Sequence, residues 1–325
     1  MSSSFSSLKL HRYAISTLCV AFVTVLFGSL TTTKDAGMAF PRWLYSDDHL
    51  VPLYPWLQDF GTNWNKFLEH GHRLAGMLIG LWSIGLVALT WKWDQRRWVR
   101  LLSCAVLLGV ICQGILGGSR VELNNRGLAM VHGLFAAFVI SLMAAMAVVT
   151  SKGWHDSYRS RDNHQLSSWA LAAVLALGAQ YALGGLIRHH GWGLFEHLFG
   201  AGVAWLLVAA NADVVRRHGS SWEQRSAWLL LAFTSLQVVL GMGAWLFKYG
   251  FAPWAIVPVM NSIEQVIMRT AHSMFGIAVF ASAAMHVLKV YRVAYLNGQR
   301  TILSHWLSDR NSEGIHSHLL AGGPQ

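Results

Sequence analysis

The chain has 325 residues, 54% of them hydrophobic and only 12% charged, with a formal net charge of +10. Soluble domains carry about a quarter charged residues, so a soluble enzyme, a secreted disulfide scaffold and a nucleic-acid-binding domain are excluded. The positive excess is read instead as membrane topology.

The amino terminus, Met1 to Arg12, is Ser-rich, basic and free of acid. It reads as a cytoplasmic tail, with a mitochondrial origin kept open. Eight charge-free runs follow: Tyr13–Thr33, Leu74–Trp91, Leu101–Ser119, Gly127–Ser151, Asn163–Ile187, Leu198–Ala212, Ser226–Phe247 and Thr270–Leu288. A helix crossing the hydrocarbon needs about 20 apolar residues. Seven runs approach that length, and Leu198–Ala212 reaches it if Glu196 and Asp213 sit at the interfaces. The expected fold is an all-α integral membrane protein with eight transmembrane helices. The loop Lys34–Leu68 is long, aromatic and proline-containing (Pro41, Pro52, Pro55), so it is expected to form a lid. Cys19, Cys104 and Cys112 lie in apolar runs and read as small hydrophobes.

Lys and Arg set the orientation. The even side, from Lys9 and Arg12 to Arg300 and Arg310, holds sixteen of them, and the odd loops hold eight. Both termini are therefore expected in the cytoplasm. Trp91, Trp93, Trp98, Trp154, Trp192 and Trp222 fall where an interfacial belt is expected.

The chain also repeats itself. Gly28, Leu30, Gly37 and Met38 recur 156 residues later as Gly184, Leu186, Gly193 and Leu194. Gln113, Leu116 and Gly117 recur 124 residues later as Gln237, Leu240 and Gly241. Two pseudo-symmetric four-helix bundles are expected, residues 1–155 and 156–325, related by an axis along the membrane normal. The second is expected to end in a cytoplasmic tail.

Among sixteen histidines, four open the even helices: His72, His132, His197 and His272. All four lie near one membrane face, at matching places in the repeat. Two imidazoles on neighbouring helices can ligate one heme iron from opposite sides. Zinc fits poorly, because each pair brings two nitrogens and no matched thiolate or carboxylate. A proton relay and simple interhelical hydrogen bonding stay open. Glu69 lies one turn before His72 on the same face, where a carboxylate can orient the imidazole, take up a proton or stabilise charge. The second half has no acid three residues before His197 and no Arg after it. This asymmetry places a reactive site in the first half and a supporting heme in the second. His70 is the weaker ligand, about 200° around the helix from His72. Arg73, Arg120, Arg126 and Arg188 are candidates for pairing with heme propionates, or are ordinary interfacial arginines.

At these residues the sequence resembles the heme A synthase family, membrane enzymes of cytochrome oxidase biogenesis. Glu69-x-x-His72-Arg73 is similar to the family's Glu-x-x-His-Arg element. Ala36-Gly37-Met38-Ala39-Phe40-Pro41-Arg42-Trp43, Gln113-Gly114-Ile115-Leu116-Gly117-Gly118 and Leu186-Ile187-Arg188-His189 resemble further family segments. The resemblance implies oxidation of the C8 methyl of heme O to a formyl group through hydroxylated intermediates. His72 and His132 would hold the substrate heme O with Glu69 assisting, and His197 and His272 would ligate a resident heme b. Arg73 and Arg188 would serve cofactor binding. Heme O synthase and cytochrome oxidase subunits are the implied partners, in a plasma membrane or, in a eukaryote, the mitochondrial inner membrane. Homo-oligomerisation is left open. The first outer loop lacks the cysteine pair of many relatives, so no thiol step is expected there. Two other readings are carried: a diheme electron-transfer protein, and a non-catalytic heme chaperone for oxidase assembly.

Overall fold

The computed structural model describes residues 2–156, 158–161 and 163–298. Eight long helices dominate it: α1 Ser2–Thr33, α2 Trp64–Trp93, α3 Arg97–Glu122, α4 Arg126–Val149, α5 Asn163–His190, α6 Leu194–His218, α7 Ser221–Tyr249 and α8 Ile263–Leu296. Each contains a window long and apolar enough to cross a membrane. A helix is the natural solution there, because it pairs its own backbone polar groups where no water can. The chain is a multi-pass membrane protein.

Polar residues at the helix starts satisfy the first free N–H groups. The side chains of Asn63, Asn125 and Ser262 accept from the backbones of Lys66, Leu128 and Gln265. Ser220 and Glu223 form a reciprocal capping box at α7. Gly250, at φ 77°, ends α7 in a backbone conformation that side-chain-bearing residues resist.

Several helices run beyond their charge-free stretches. α1 already begins at Ser2, where a tail was expected. α2 starts at Trp64 and α8 at Ile263, so His72 and His272 lie in the third turn rather than at the helix openings. His132 lies in the second turn of α4, and only His197 sits in a first turn. Charged residues such as Lys66, Glu69, Glu264 and Arg269 are compatible with helix outside the hydrocarbon, so a charge-free window marks the apolar slab rather than the helix. The first outer loop accordingly closes at Asn63. Trp154 is buried at 7% exposure beneath Arg292, not displayed in a belt. The expected cytoplasmic tail beyond Gly298, with Arg300, Arg310, His305, His316 and His318, lies outside the described residues.

Within each half, consecutive helices pack in a closed ring: α1–α2–α3–α4–α1 and α5–α6–α7–α8–α5. The halves meet through α4 against α8, flanked by α1 against α8 and α4 against α5. α4 has 44% of its apolar window buried and α7 only 11%, so α4 is central and α7 peripheral. Ala137, Ala144 and Ala281 in the largest core allow this close approach.

The first outer loop is folded. Tyr45–Ser46 pairs antiparallel with His49–Leu50, and two short 3-10 turns follow, Val51–Leu53 and Trp56–Asp59. Trp56 stacks on Phe67 of α2, with ring centres 4.7 Å apart. Trp43 lies flat on Gly118 of α3, where no larger residue fits, and its backbone N–H donates to Glu122 Oε1 at 2.7 Å.

Candidate heme sites

The four repeat-related histidines come together as two pairs. The His72 and His132 ring centres are 6.2 Å apart with planes at 86°. Those of His197 and His272 are 6.2 Å apart at 85°. Each pair spans the first and last even helix of its own ring, α2 with α4 and α6 with α8.

The odd helices form the backing of each imidazole. A Cβ on Gly28 of α1 would come within 2.8 Å of the His72 ring, and one on Gly117 of α3 within 3.1 Å of the His132 ring. In the second half, Gly184 of α5 faces His197 at 3.4 Å, and Gly241 of α7 faces His272 at 2.9 Å. The repeat-related glutamines act alike: Gln113 Nε2 donates to the His132 carbonyl at 3.1 Å, and Gln237 Nε2 donates to the His272 carbonyl at 3.0 Å. All eight helices therefore take part in holding four rings.

In His72, Nδ1 donates to the Thr24 carbonyl at 3.0 Å, the backbone contact that fixes a ligand tautomer and leaves Nε2 free. Nδ1 of His132, His197 and His272 is buried without a well-aligned hydrogen bond among the described residues, and these imidazoles face the backbone of Gln113, Gln180 and Gln237 respectively. In all four, the Cε1 edge rests closest to the glycine and Nε2 lies farther away. Bonds of about 2.0 Å to one metal, plus roughly 1.1 Å from nitrogen to ring centre, would set two axial imidazoles about 6.2 Å apart. Both pairs match that span. No group of three or more His, Cys, Asp or Glu suited to a metal occurs among the described residues. A two-nitrogen donor set suits an iron whose equatorial positions a macrocycle fills, and does not complete a zinc site.

The structure places the other expected site residues differently. Glu69 is 1% exposed and turns to the outer loop: Oε2 accepts from the Phe40 N–H at 3.2 Å, and Oε1 accepts from Arg73 at 2.7 Å. Arg73 also donates to the carbonyls of Phe40, Arg42, Trp43 and Tyr45, between 2.8 and 3.2 Å. Arg188 reaches across the halves, donating to Ser273 of α8, to the Ser29 carbonyl of α1 at 2.9 Å and to Thr33 at 3.4 Å. The Arg120 guanidinium has no hydrogen bond among the described residues and lies beneath Gly37 of the loop. His70 is fully buried, with Nδ1 2.8 Å from Ser46 Oγ and Tyr54 packed on its ring. It supports the loop and stands apart from the first pair.

One polar cluster has no counterpart in the sequence reading. Asn211 and His286 are fully buried and lie 3.1 Å apart, with Ser226 Oγ 2.9 Å from His286 Nδ1. Each follows a pair histidine by fourteen residues on α6 or α8, about 21 Å along the helix. The same step in the first half leads to Leu86 and Met146, both buried and apolar. The step of fourteen from both histidines at once was the available signal.

A profile of the cytochrome oxidase assembly protein family (COX15-CtaA) matches residues 11–195. That segment holds the first pair and stops two residues before His197. A heme A synthase of Listeria monocytogenes is 22% identical over 151 residues, 45% of this chain and 46% of that protein. One from Oceanobacillus iheyensis is 26% identical over 170 residues, 49% of each. One from Bacillus cereus is 22% identical over 147 residues, 45% of this chain and 44% of that protein. The alignments thus span about half the length of these curated relatives.

Proposed function

The chain belongs to the COX15-CtaA family of cytochrome oxidase assembly proteins, and from that premise we propose that it is a heme A synthase-type membrane oxidoreductase. Its substrate is heme O, whose C8 methyl is oxidised to a formyl group through hydroxylated intermediates. The observation that carries this reading is the pair of matched imidazole sites, each with ring centres 6.2 Å apart.

His72 and His132 hold the substrate heme, each set in place by a glycine of the neighbouring odd helix. Arg120, uncommitted beside the first pair, takes a propionate by charge-assisted hydrogen bonding. Arg73 and Glu69 act together as a latch that draws the outer loop over this site and excludes water from it. Their role is positioning, through the loop carbonyls they hold. His197 and His272 ligate the resident heme b, which supplies one-electron transfer. Arg188 ties α5 to α1 and α8, fixing the two sites relative to each other. In this reading each half is a duplicated bundle, both sites open toward the non-cytoplasmic face, and the termini are cytoplasmic. The apolar prenyl tail of heme O reaches the first site from the lipid.

The test is chemical. Heme extracted after co-expression with a heme O source should contain the formyl product and its hydroxylated intermediate. Unchanged heme O on folded, heme-loaded protein would instead identify a chaperone or an electron-transfer protein.

A further inference from the structure

The loop between α7 and α8 is unlike the other long loop on the same side of the bundle, that between α1 and α2. No Asp, Glu, Lys or Arg occurs between Lys248 and Glu264. The first outer loop carries Lys34, Asp35, Arg42, Asp47, Asp48 and Asp59, and is bound to helix ends by Arg73 and Glu122. In the α7–α8 loop the large apolar side chains point outward, from 58% exposed at Val259 to 84% at Met260, with Trp254 and Val257 between. The spans on either side also expose large apolar side chains, Met242 of α7 and Ile263 and Ile267 of α8. Several large apolar side chains exposed on one charge-free loop mark an interaction site.

Two further features identify what covers it. The aromatic rings run without a break from helix into loop: Trp245 to Tyr249 and Phe251, then Phe251 to Trp254 at 5.3 Å. Such rings favour the headgroup level of a bilayer, and Lys248 sits over Tyr249 as a snorkelling cation does. The loop also satisfies part of its own backbone. Phe251 and Ile256 exchange N–H···O bonds, and Trp254, Ala255 and Ser262 donate to Phe251, Ala252 and Val259. Asn261 donates to the Gln265 side chain, and Pro253 and Pro258 have no N–H to satisfy. Groups left without an internal partner need water or headgroups within reach, so this partial pairing suits the headgroup level and not the hydrocarbon interior.

We propose that residues 250–262, with Ile263 and Ile267, lie embedded at the headgroup–acyl boundary of the bilayer as an interfacial anchor of the second half. The two long outer loops then have opposite roles: that between α1 and α2 is a polar latch over a site, and that between α7 and α8 a hydrophobic hold on the leaflet. The proposal is independent of the heme reading.

Trp254→Cys and Met260→Cys, made in a chain with Cys19, Cys104 and Cys112 changed to Ala, would carry an environment-sensitive fluorophore in phosphatidylcholine–phosphatidylglycerol nanodiscs. A label at Asp48→Cys serves as the aqueous reference. Blue-shifted emission relative to that reference is expected, with quenching by lipids spin-labelled near the headgroup and little by aqueous iodide. Reference-like emission with strong iodide quenching overturns the proposal. Shielding from both quenchers with cross-linking between copies overturns it too, since a second chain then covers the face. On the unmodified protein, a phosphatidylcholine with a photoreactive group high in its acyl chain should label the 250–263 peptide, and labelling confined to the helices overturns the proposal independently of any variant.

Discussion

Gly28 backs so closely onto His72 that a Cβ there would come within 2.8 Å of the imidazole Cε1. Carbon atoms rest about 3.5–4.0 Å apart, so alanine at 28 must move the ring. The corresponding approaches are 2.9 Å at Gly241, 3.1 Å at Gly117 and 3.4 Å at Gly184. Overpacking of this kind costs about 1–3 kcal/mol, which would weaken heme retention roughly five- to a hundredfold. Gly28→Ala and Gly241→Ala should lower the heme content of purified protein, and Gly184→Ala should change it least. Equal effects at all four positions would falsify the cradle.

On the proposed assignment of a heme b to the second pair, His197→Ala or His272→Ala should abolish its low-spin bis-imidazole spectrum. Glu69→Ala should keep that spectrum and lose turnover. An unaltered spectrum in either histidine variant contradicts the ligand assignment.

Arg73→Gln removes the latch. Arg73 and Glu69 form an ion pair whose side chains are 11% and 2% exposed, and breaking a buried pair from one side costs roughly 3–5 kcal/mol. Amides of residues 40–46 should exchange much faster by hydrogen–deuterium mass spectrometry, with the far ends of α2 and α3 unchanged. Lysine should rescue little, since one ammonium with three donors does not reproduce a planar fork serving four carbonyls and a carboxylate.

Asn211 and His286 are mutual partners, so single and double replacement should differ in sign of coupling. Asn211→Leu leaves His286 short of a partner and should cost about 1–3 kcal/mol. Asn211→Leu with His286→Met copies Leu86 and Met146 of the first half and should be closer to wild type than either single variant. Thermal unfolding in detergent reads the difference. A strictly additive double variant would show that the contact carries no energy.

Tyr54 closes the loop beneath His70, donating to Asp59 at 2.9 Å. Burial first, and the Asp59 hydrogen bond second, push its pKa up from 10.0 to about 12. A raised pKa means that the fold favours the neutral phenol. Its contribution is therefore complete below about pH 10 and is lost as the pH rises toward about 12. Amide exchange in the outer loop, corrected for the intrinsic pH dependence, should accelerate across that window, and Tyr54→Phe should remove the step.

The eight spans were legible from composition alone, because hydrocarbon solvates no charge and the apolar slab imprints itself on any window of the chain. The histidine pairs were legible from the sequence repeat, since residues at equivalent places in repeated segments are the ones expected to meet in equivalent surroundings. The seats for those rings were already written as Gly28 with Gly184 and Gly117 with Gly241, though only packing reveals what each glycine faces. Tertiary structure decided the rest. Helix starts such as Trp64 and Ile263 lie outside the slab, where charge no longer argues against helix. Glu69 and Arg73 turned to the outer loop because four carbonyls arrive there from residues about thirty positions away. Arg188 and the Asn211–His286 contact depend likewise on helices from distant parts of the chain. Hydropathy is local and can be summed along a sequence, whereas a hydrogen-bond partner is set by whatever the fold brings within about 3 Å.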